Sequence, residues 1–396
     1  MLPIARTCCG RLPALATRHA IRSAHRRGIS GTTKSDQREP VVIFSGIQPT
    51  GIPHLGNYLG ALRQWKRLQD AAGEEDKLIF SIVDLHAITM PQDAESLRFR
   101  KREMLAALLA IGLDPKKSTL FYQSSVMQHA ELMWILSCTA SMGYLERMTQ
   151  YKSKLLAENQ AGDLDEAVAS RLKLGLFSYP VLQAADILIH RATHVPVGDD
   201  QRQHLEFARE CVTNFNYRYN QNLLVTPETI TTSAARIMSL QNPYQKMSKS
   251  SPNERSRILI TSPPKQIERQ IMAAVTDSRN EVTYEPEHRP GVANLLELVA
   301  QCSPSSAPTT PADVADELRG AKLSELKARC AAAVTAELAG IRERYVEILQ
   351  RDGGKFVDDI EAAGAEVARQ NAEDTMRLVR DVVGLAPVRR ARFSLY

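Results

Sequence analysis

Three short apolar runs punctuate the first third of the chain, and each stops where the sequence turns polar or glycine-rich. Val41-Val42-Ile43-Phe44-Ser45 runs into a Gly/Pro-rich stretch ending at Asn57, Lys77–Val83 ends at Asp84 and His86, and Thr119–Tyr122 ends at Gln123-Ser124-Ser125. Apolar runs of this length, bounded by turn signals, predict strands buried on both faces, as strands are in a parallel sheet. Helical spacing separates them, first through Leu68 and then from about Asp93 to Ile111, with apolar Leu97, Met104, Leu105 and Leu108. Strands alternating with helices predict an α/β fold, and polar residues at strand ends would emerge at the carboxyl edge, where such folds bind ligands.

Further along, the pattern predicts a helix over His129–Met142 and a polar helical insertion over about residues 144–171. A strongly apolar helix follows over Leu174–Ile189, with Tyr179 and Asp186 seven apart, two turns along one face. A carboxylate in so apolar a helix requires a partner. Val195-Pro196-Val197 reads as a short strand, and Gly198-Asp199-Asp200 opens a helix carrying Gln201, His204 and Phe207. Beyond Pro252 the chain turns helical: one helix starts at Ser262-Pro263-Pro264, and two long ones span about Ser324–Arg351 and Lys355–Val383, after a Ser/Pro/Thr-rich loop over Cys302–Pro311. The expected division is residues 39–258 as an α/β domain and 259–396 as a helical region.

Charge alters the picture at the start of the chain. Residues 1–27 hold six arginines and no Asp or Glu, with Ser, Thr, Ala and apolar residues interspersed, the composition of an organelle transit peptide. Arg27-Gly28-Ile29-Ser30 is similar to a matrix-protease cleavage site, which places the transit peptide at residues 1–29 and the protein in the mitochondrial matrix. The whole chain is formally +5, so removing six positive charges leaves −1 for residues 28–396. Attraction to nucleic-acid phosphate then rests on local patches; the tail Arg389-Arg390-Ala391-Arg392 is one. No apolar run reaches the ~18 residues that a membrane span requires. The six cysteines show no Cys-x-x-Cys pair, so neither a zinc site nor a disulfide framework is expected.

The chemistry concentrates in two stretches. Lys246-Met247-Ser248-Lys249-Ser250 sets two flexible ammonium groups three residues apart in a loop-prone segment, suited to following phosphate charge as it moves. Upstream, Gly46–Asn57 lies between a strand and a helix; the helix start offers an anion site, and Gly51 and Gly56 allow close approach of a nucleotide. Neither a P-loop nor a dinucleotide fingerprint occurs there.

His54-Leu55-Gly56-Asn57 resembles the first signature of class I aminoacyl-tRNA synthetases, and Lys246–Ser250 matches their second letter for letter. Phe44–Gly51, Asn57–Arg63, Val83–Thr89, Leu145–Gln150 and Val195–Gln201 are similar to the bacterial-type tryptophanyl branch. The resemblance runs from about Val41 to the C-terminus. It implies a Rossmann-like catalytic domain, an anticodon-binding helical region, a homodimer, and the substrates L-tryptophan, ATP and tRNA(Trp). Magnesium would ride on the ATP phosphates. By the same resemblance Gln48, Pro49 and Thr50 would wrap ATP, and His54, Gly56 and Asn57 would hold phosphate and ribose. Gly198, Asp199 and Asp200 would face the ribose and Ile237 the adenine. Lys246 and Lys249 would grip pyrophosphate, in a loop shaped by Met247, Ser248 and Ser250. Asp186 would accept the indole N–H, with Tyr179, His86 and Gln183 beside it and Phe44, Val195 and Val197 packing the ring. Two alternatives remain open: Tyr179-x-x-x-Gln183-x-x-Asp186 also resembles the tyrosine-recognition pattern of tyrosyl-tRNA synthetases, and a non-catalytic RNA-binding or splicing relative could share the fold.

Overall fold

The computed structural model describes residues 39–148, 173–198, 201–231, 236–249, 251–303 and 309–387. The expected transit peptide, most of the polar insertion, Asp199, Asp200, Ser250 and the basic tail lie outside them. Pro40–Tyr396 makes one compact unit.

Its centre is a five-stranded, wholly parallel sheet: β1 (Val42–Ile47), β2 (Lys77–Ile82), β3 (Ser118–Tyr122), β4 (His194–Val197) and β5 (Glu228–Thr231), in the order β3-β2-β1-β4-β5. Side chains alternate across each strand, so β1, β2 and β3 each feed two cores. Ile43, Leu78, Phe80, Ile82 and Leu120 enter one, and Phe44, Ile79, Phe121 and Val195 the other. The first three strands and β4 fall where the apolar runs predict them. β5 has no counterpart in that reading.

The first strand leads through the Gly/Pro turn into α1 (Leu55–Asn57), a π turn at Tyr58–Leu62, and α2 (Arg63–Ala71). Then come α3 (Asp84–Ala87), α4 (Ala94–Ala110), α5 (Gln128–Ser137), α6 (Met142–Arg147), α7 (Leu174–Ile189) and α8 (Arg202–Tyr219). The helix expected over His129–Met142 ends at Ser137, because the Ser141 hydroxyl accepts from the Tyr144 N–H and caps a new helix.

The remaining helices are α9 (Pro264–Met272), α10 (Pro290–Cys302), α11 (Pro311–Glu317), α12 (Leu323–Glu337), α13 (Ile341–Gln350) and α14 (Lys355–Val383). The single helix expected over Ser324–Arg351 is therefore two, broken where Gly340 takes a left-handed φ of 73°. α14 lies across the edge strand β3. A Cβ on its Gly364 would stand 1.9 Å from the Leu120 carbonyl oxygen, so only glycine permits this approach. Next to it Ala365, Ala368, Ala372, Met376 and Val379 join the second core.

Candidate active site

β2 and β3 lie on one side of β1, and β4 and β5 on the other. Connections diverge at that point, and the sheet leaves a crevice outside the strand ends. A cavity of about 360 Å³ opens there. Phe44 and Gln48 come from β1 and its exit, Asn57 from α1, His86 from α3, Tyr179, Gln183 and Asp186 from α7, and Val195, Val197 and Gly198 from β4 and its exit. All ten carry roles in the sequence reading.

At the mouth of the first helix, His54 and Asn57 cap each other. The Asn57 N–H donates to His54 Nδ1 at 3.2 Å, and the His54 N–H donates to Asn57 Oδ1 at 3.2 Å. Because Nδ1 accepts, the ring proton sits on Nε2. Burial, then the nearby charges of Lys249, Lys246 and Arg257, lower the His54 pKa to about 3. The ring is a neutral donor at physiological pH, in a strongly cationic neighbourhood.

The second lysine stretch folds back onto this loop. A bridge pairs Met238 with Lys246, and the Met247 N–H donates to the Ile237 carbonyl at 3.0 Å. Ile237 and Met247 are both buried in the first core, and Ile237 packs under Gly56. Ser248 leads on to Lys249, whose Nζ donates to the Gly51 carbonyl at 2.6 Å and to Thr50 Oγ1 at 3.1 Å. Pro49 lies inside that same turn, closed by the Thr50 N–H donating to the Gln48 carbonyl at 2.9 Å. Burial lowers the Lys249 pKa to about 7, against the pull of Glu103. Two stretches almost 200 residues apart thus form one cationic rim. Among the described residues, no three His, Cys, Asp or Glu side chains gather so as to hold a metal ion.

The family model for class I tRNA synthetases (W and Y) matches residues 36–339. The chain belongs to this family. The mitochondrial tryptophan–tRNA ligase of Schizosaccharomyces pombe is 44% identical over 87% of the chain and 95% of its own length. The tryptophanyl-tRNA synthetase of Mycoplasma pneumoniae superposes with a TM-score of 0.75 at 30% identity, covering 88% of this chain and 98% of that one. That of Campylobacter jejuni, solved with ADP and tryptophan, gives 0.69 at 32% identity, covering 87% and 100%.

Deep in the cavity of this class I synthetase, Asp186 is 1% exposed and fully engaged. Its Oδ1 accepts from Gln123 Nε2 at 2.7 Å and from His129 Nδ1 at 2.7 Å; its Oδ2 accepts from His86 Nε2 at 2.8 Å and again from Gln123 at 2.9 Å. Burial alone would push its pKa up. Hydrogen bonds from His129 and His86, with their charges, outweigh burial and hold it at about 2. Tyr179 turns its hydroxyl to within 2.8 Å of His204 Nε2, and Gln183 Nε2 donates to Gln201 Oε1 at 3.2 Å.

Sequence reasoning assigned no role to Gln123, His129 or His190. Gln123 ends the third apolar run at the carboxyl edge, which is a usable signal. His129 and His190 give none, since one stands in an ordinary helical pattern and the other just past the end of one.

Proposed function

We propose that this chain activates L-tryptophan with ATP, giving tryptophanyl-adenylate and pyrophosphate, and then transfers the tryptophanyl group to tRNA(Trp) in the mitochondrial matrix. The observation that carries the reading is one ionised, buried carboxylate lining a largely apolar cavity that also reaches Asn57, which caps His54 beside Lys246 and Lys249.

The carboxylate and the cationic rim divide the chemistry. An indole ring fits between Phe44, Val195 and Val197, and its N–H needs an acceptor in that dry pocket. Asp186 supplies one when Gln123, which bridges both oxygens, releases Oδ2. Such a site disfavours phenylalanine by as much as ~10⁴–10⁵, since the carboxylate would be left short of a donor.

At the rim, tryptophan's own carboxylate attacks the α-phosphorus and pyrophosphate leaves. A carboxylate is already ionised at pH 7, so positioning and charge stabilisation do the work. His54 Nε2–H, Lys246 and Lys249 hold the developing charge, while Gln48, Pro49, Thr50, Gly56 and Asn57 wrap the nucleotide. The segment of Asp199 and Asp200 that follows Gly198 meets the ribose. Ile237 and Met247 underlie the adenine side, and Ser248 and Ser250 shape the lysine loop. The substrate is MgATP, with the metal borne by the phosphates. The helical region after residue 258 reads the anticodon, and the working form is a homodimer.

ATP-pyrophosphate exchange by the chain starting at Ser30, with tryptophan and tyrosine supplied separately, tests the reading. Exchange with tryptophan alone is expected. Exchange with tyrosine alone would overturn the specificity, and exchange with neither would favour a non-catalytic RNA-binding relative.

A further inference from the structure

The hydrogen bonding around Asp186 continues beyond the cavity wall. His129 Nε2 lies 3.3 Å from His190 Nε2, and His190 Nδ1 lies 2.7 Å from Asn371 Oδ1, on α14. Both histidines are buried, His129 completely.

Donor counting leaves two proton patterns, and the first has the Asn371 amide oxygen facing His190. An amide oxygen only accepts, so His190 carries its proton on Nδ1 and its Nε2 accepts from His129 Nε2–H. His129 Nδ1 also meets Asp186 Oδ1 at 2.7 Å, so in this pattern both of its ring nitrogens face an acceptor. Turning the Asn371 amide over reverses the outer bonds: its Nδ2–H donates to His190 Nδ1, His190 Nε2–H donates to His129 Nε2, and His129 donates only from Nδ1. The orientation of one amide on α14 therefore selects the direction in which the hydrogen bonds run toward Asp186.

We propose that His129, His190 and Asn371 form a positioning relay through which the docking of α14 sets the hydrogen-bond direction and ring orientation around Asp186, making tryptophan selection depend on a residue of the C-terminal helix. This rests on Asp186 as the indole acceptor. The charged groups on α14 that face α5 and its approach are otherwise engaged. Arg380 donates to Glu131 at 2.6 Å, Glu373 accepts from Gln128 at 2.9 Å, Glu361 accepts from Ser125 Oγ at 2.6 Å, and Arg369 donates to the Ser125 carbonyl at 3.3 Å. They fix where α14 sits and leave Asn371 to meet the relay.

Asn371→Leu removes the acceptor at nearly constant size, Asn371→Ala removes it with the volume, and Asn371→Asp keeps it. In the full chain, pyrophosphate exchange should show the KM for tryptophan raised about three- to tenfold in the first two, the worth of one buried hydrogen bond. The KM for ATP should hold in both, and Asn371→Asp should stay within about twofold of the parent. Spectra of ¹⁵N-histidine-labelled chain should show ring-nitrogen resonances displaced in Asn371→Leu and parent-like in Asn371→Asp. An unchanged tryptophan KM, a parallel rise for both substrates, or no rescue by aspartate would overturn the relay. Asp186→Asn separates the two readings. If that variant keeps the parent KM for tryptophan, the acceptor assignment itself falls; if it loses tryptophan while Asn371→Leu does not, only the relay falls.

Discussion

Lys249 holds its ammonium in a place where burial works against it. With its pKa near 7, the side chain is mostly neutral at pH 8, and its donation to Gly51 and Thr50 needs no charge. Triphosphate oxygens beside it favour the charged form and raise its pKa toward the usual 10.5. ATP binding should therefore take up close to one proton at pH 8 and almost none at pH 6, where the lysine is already charged. Calorimetry in buffers of different ionisation enthalpy reads that number directly, and Lys249→Met should abolish the uptake. The same shift bears on stability. The unfolded lysine binds its proton up to about pH 10.5 and the folded one only to about 7, so this group makes the fold less stable as pH falls from 10.5 through 7. His54 acts as a neutral donor, so His54→Ala should lower kcat for exchange by roughly 10²–10³-fold, the cost of losing one donor aimed at developing charge. A drop below about fivefold would remove His54 from the charge-stabilising set. Both residues were legible in the sequence because each belongs to a short contiguous motif. Of the carboxylate shell only His86 was. Gln123 and His129 stand 63 and 57 residues from Asp186; the end of β3 delivers the first, and the packing of α5 against α7 the second.

At the scale of elements, apolar runs announced β1, β2 and β3, and a strongly apolar stretch announced α7. Both signals reflect burial on all sides, which this fold supplies. β5 escaped because Glu228-Thr229-Ile230-Thr231 is four residues long and forms a sheet edge, where one neighbour suffices and little apolar surface is needed. Its hold on the protein includes Arg209, which donates to Thr229 Oγ1 at 2.7 Å and to the Pro227 carbonyl at 2.9 Å. The break between α12 and α13 was missed for the opposite reason, since apolar spacing persists through a glycine whose left-handed turn cannot be read from periodicity. α14 was legible at both ends, but nothing in its sequence says that it covers β3. Gly364 is the residue that makes this possible, so Gly364→Ala should push the helix off Leu120 and cost about 1–3 kcal/mol. Urea unfolding should show a lower midpoint. Because α14 carries Asn371, the tryptophan KM should rise with it, and a variant with unchanged stability would mean that α14 does not sit tightly on the strand.

For the whole molecule, the proposed homodimer follows from where apolar surface is left uncovered. Trp134 on α5 is 71% exposed and Met127 at its N-cap 79%, while Met142 and Leu174 stand exposed at the starts of α6 and α7. Scattered apolar side chains are ordinary on a surface; large ones on three helices, one of which lines the cavity and another of which holds Asp186 through His129, call for a covering partner. A second copy is chemically suited, since the chain without its arginine-rich leader is near neutral at −1, from +5 less six, and self-association meets little net repulsion. The chain starting at Ser30 should therefore run at twice its mass in light scattering at micromolar concentration. Trp134→Glu places a charge in the interface and should return the monomer mass. Its effect should reach the pocket as well: Trp134 shares α5 with His129, whose Nδ1–H holds Asp186, so the monomer should bind tryptophan more weakly while retaining ATP. A Trp134→Glu protein of unchanged mass would place the interface elsewhere, and a monomer with unchanged tryptophan affinity would show that α5 keeps its geometry without the partner.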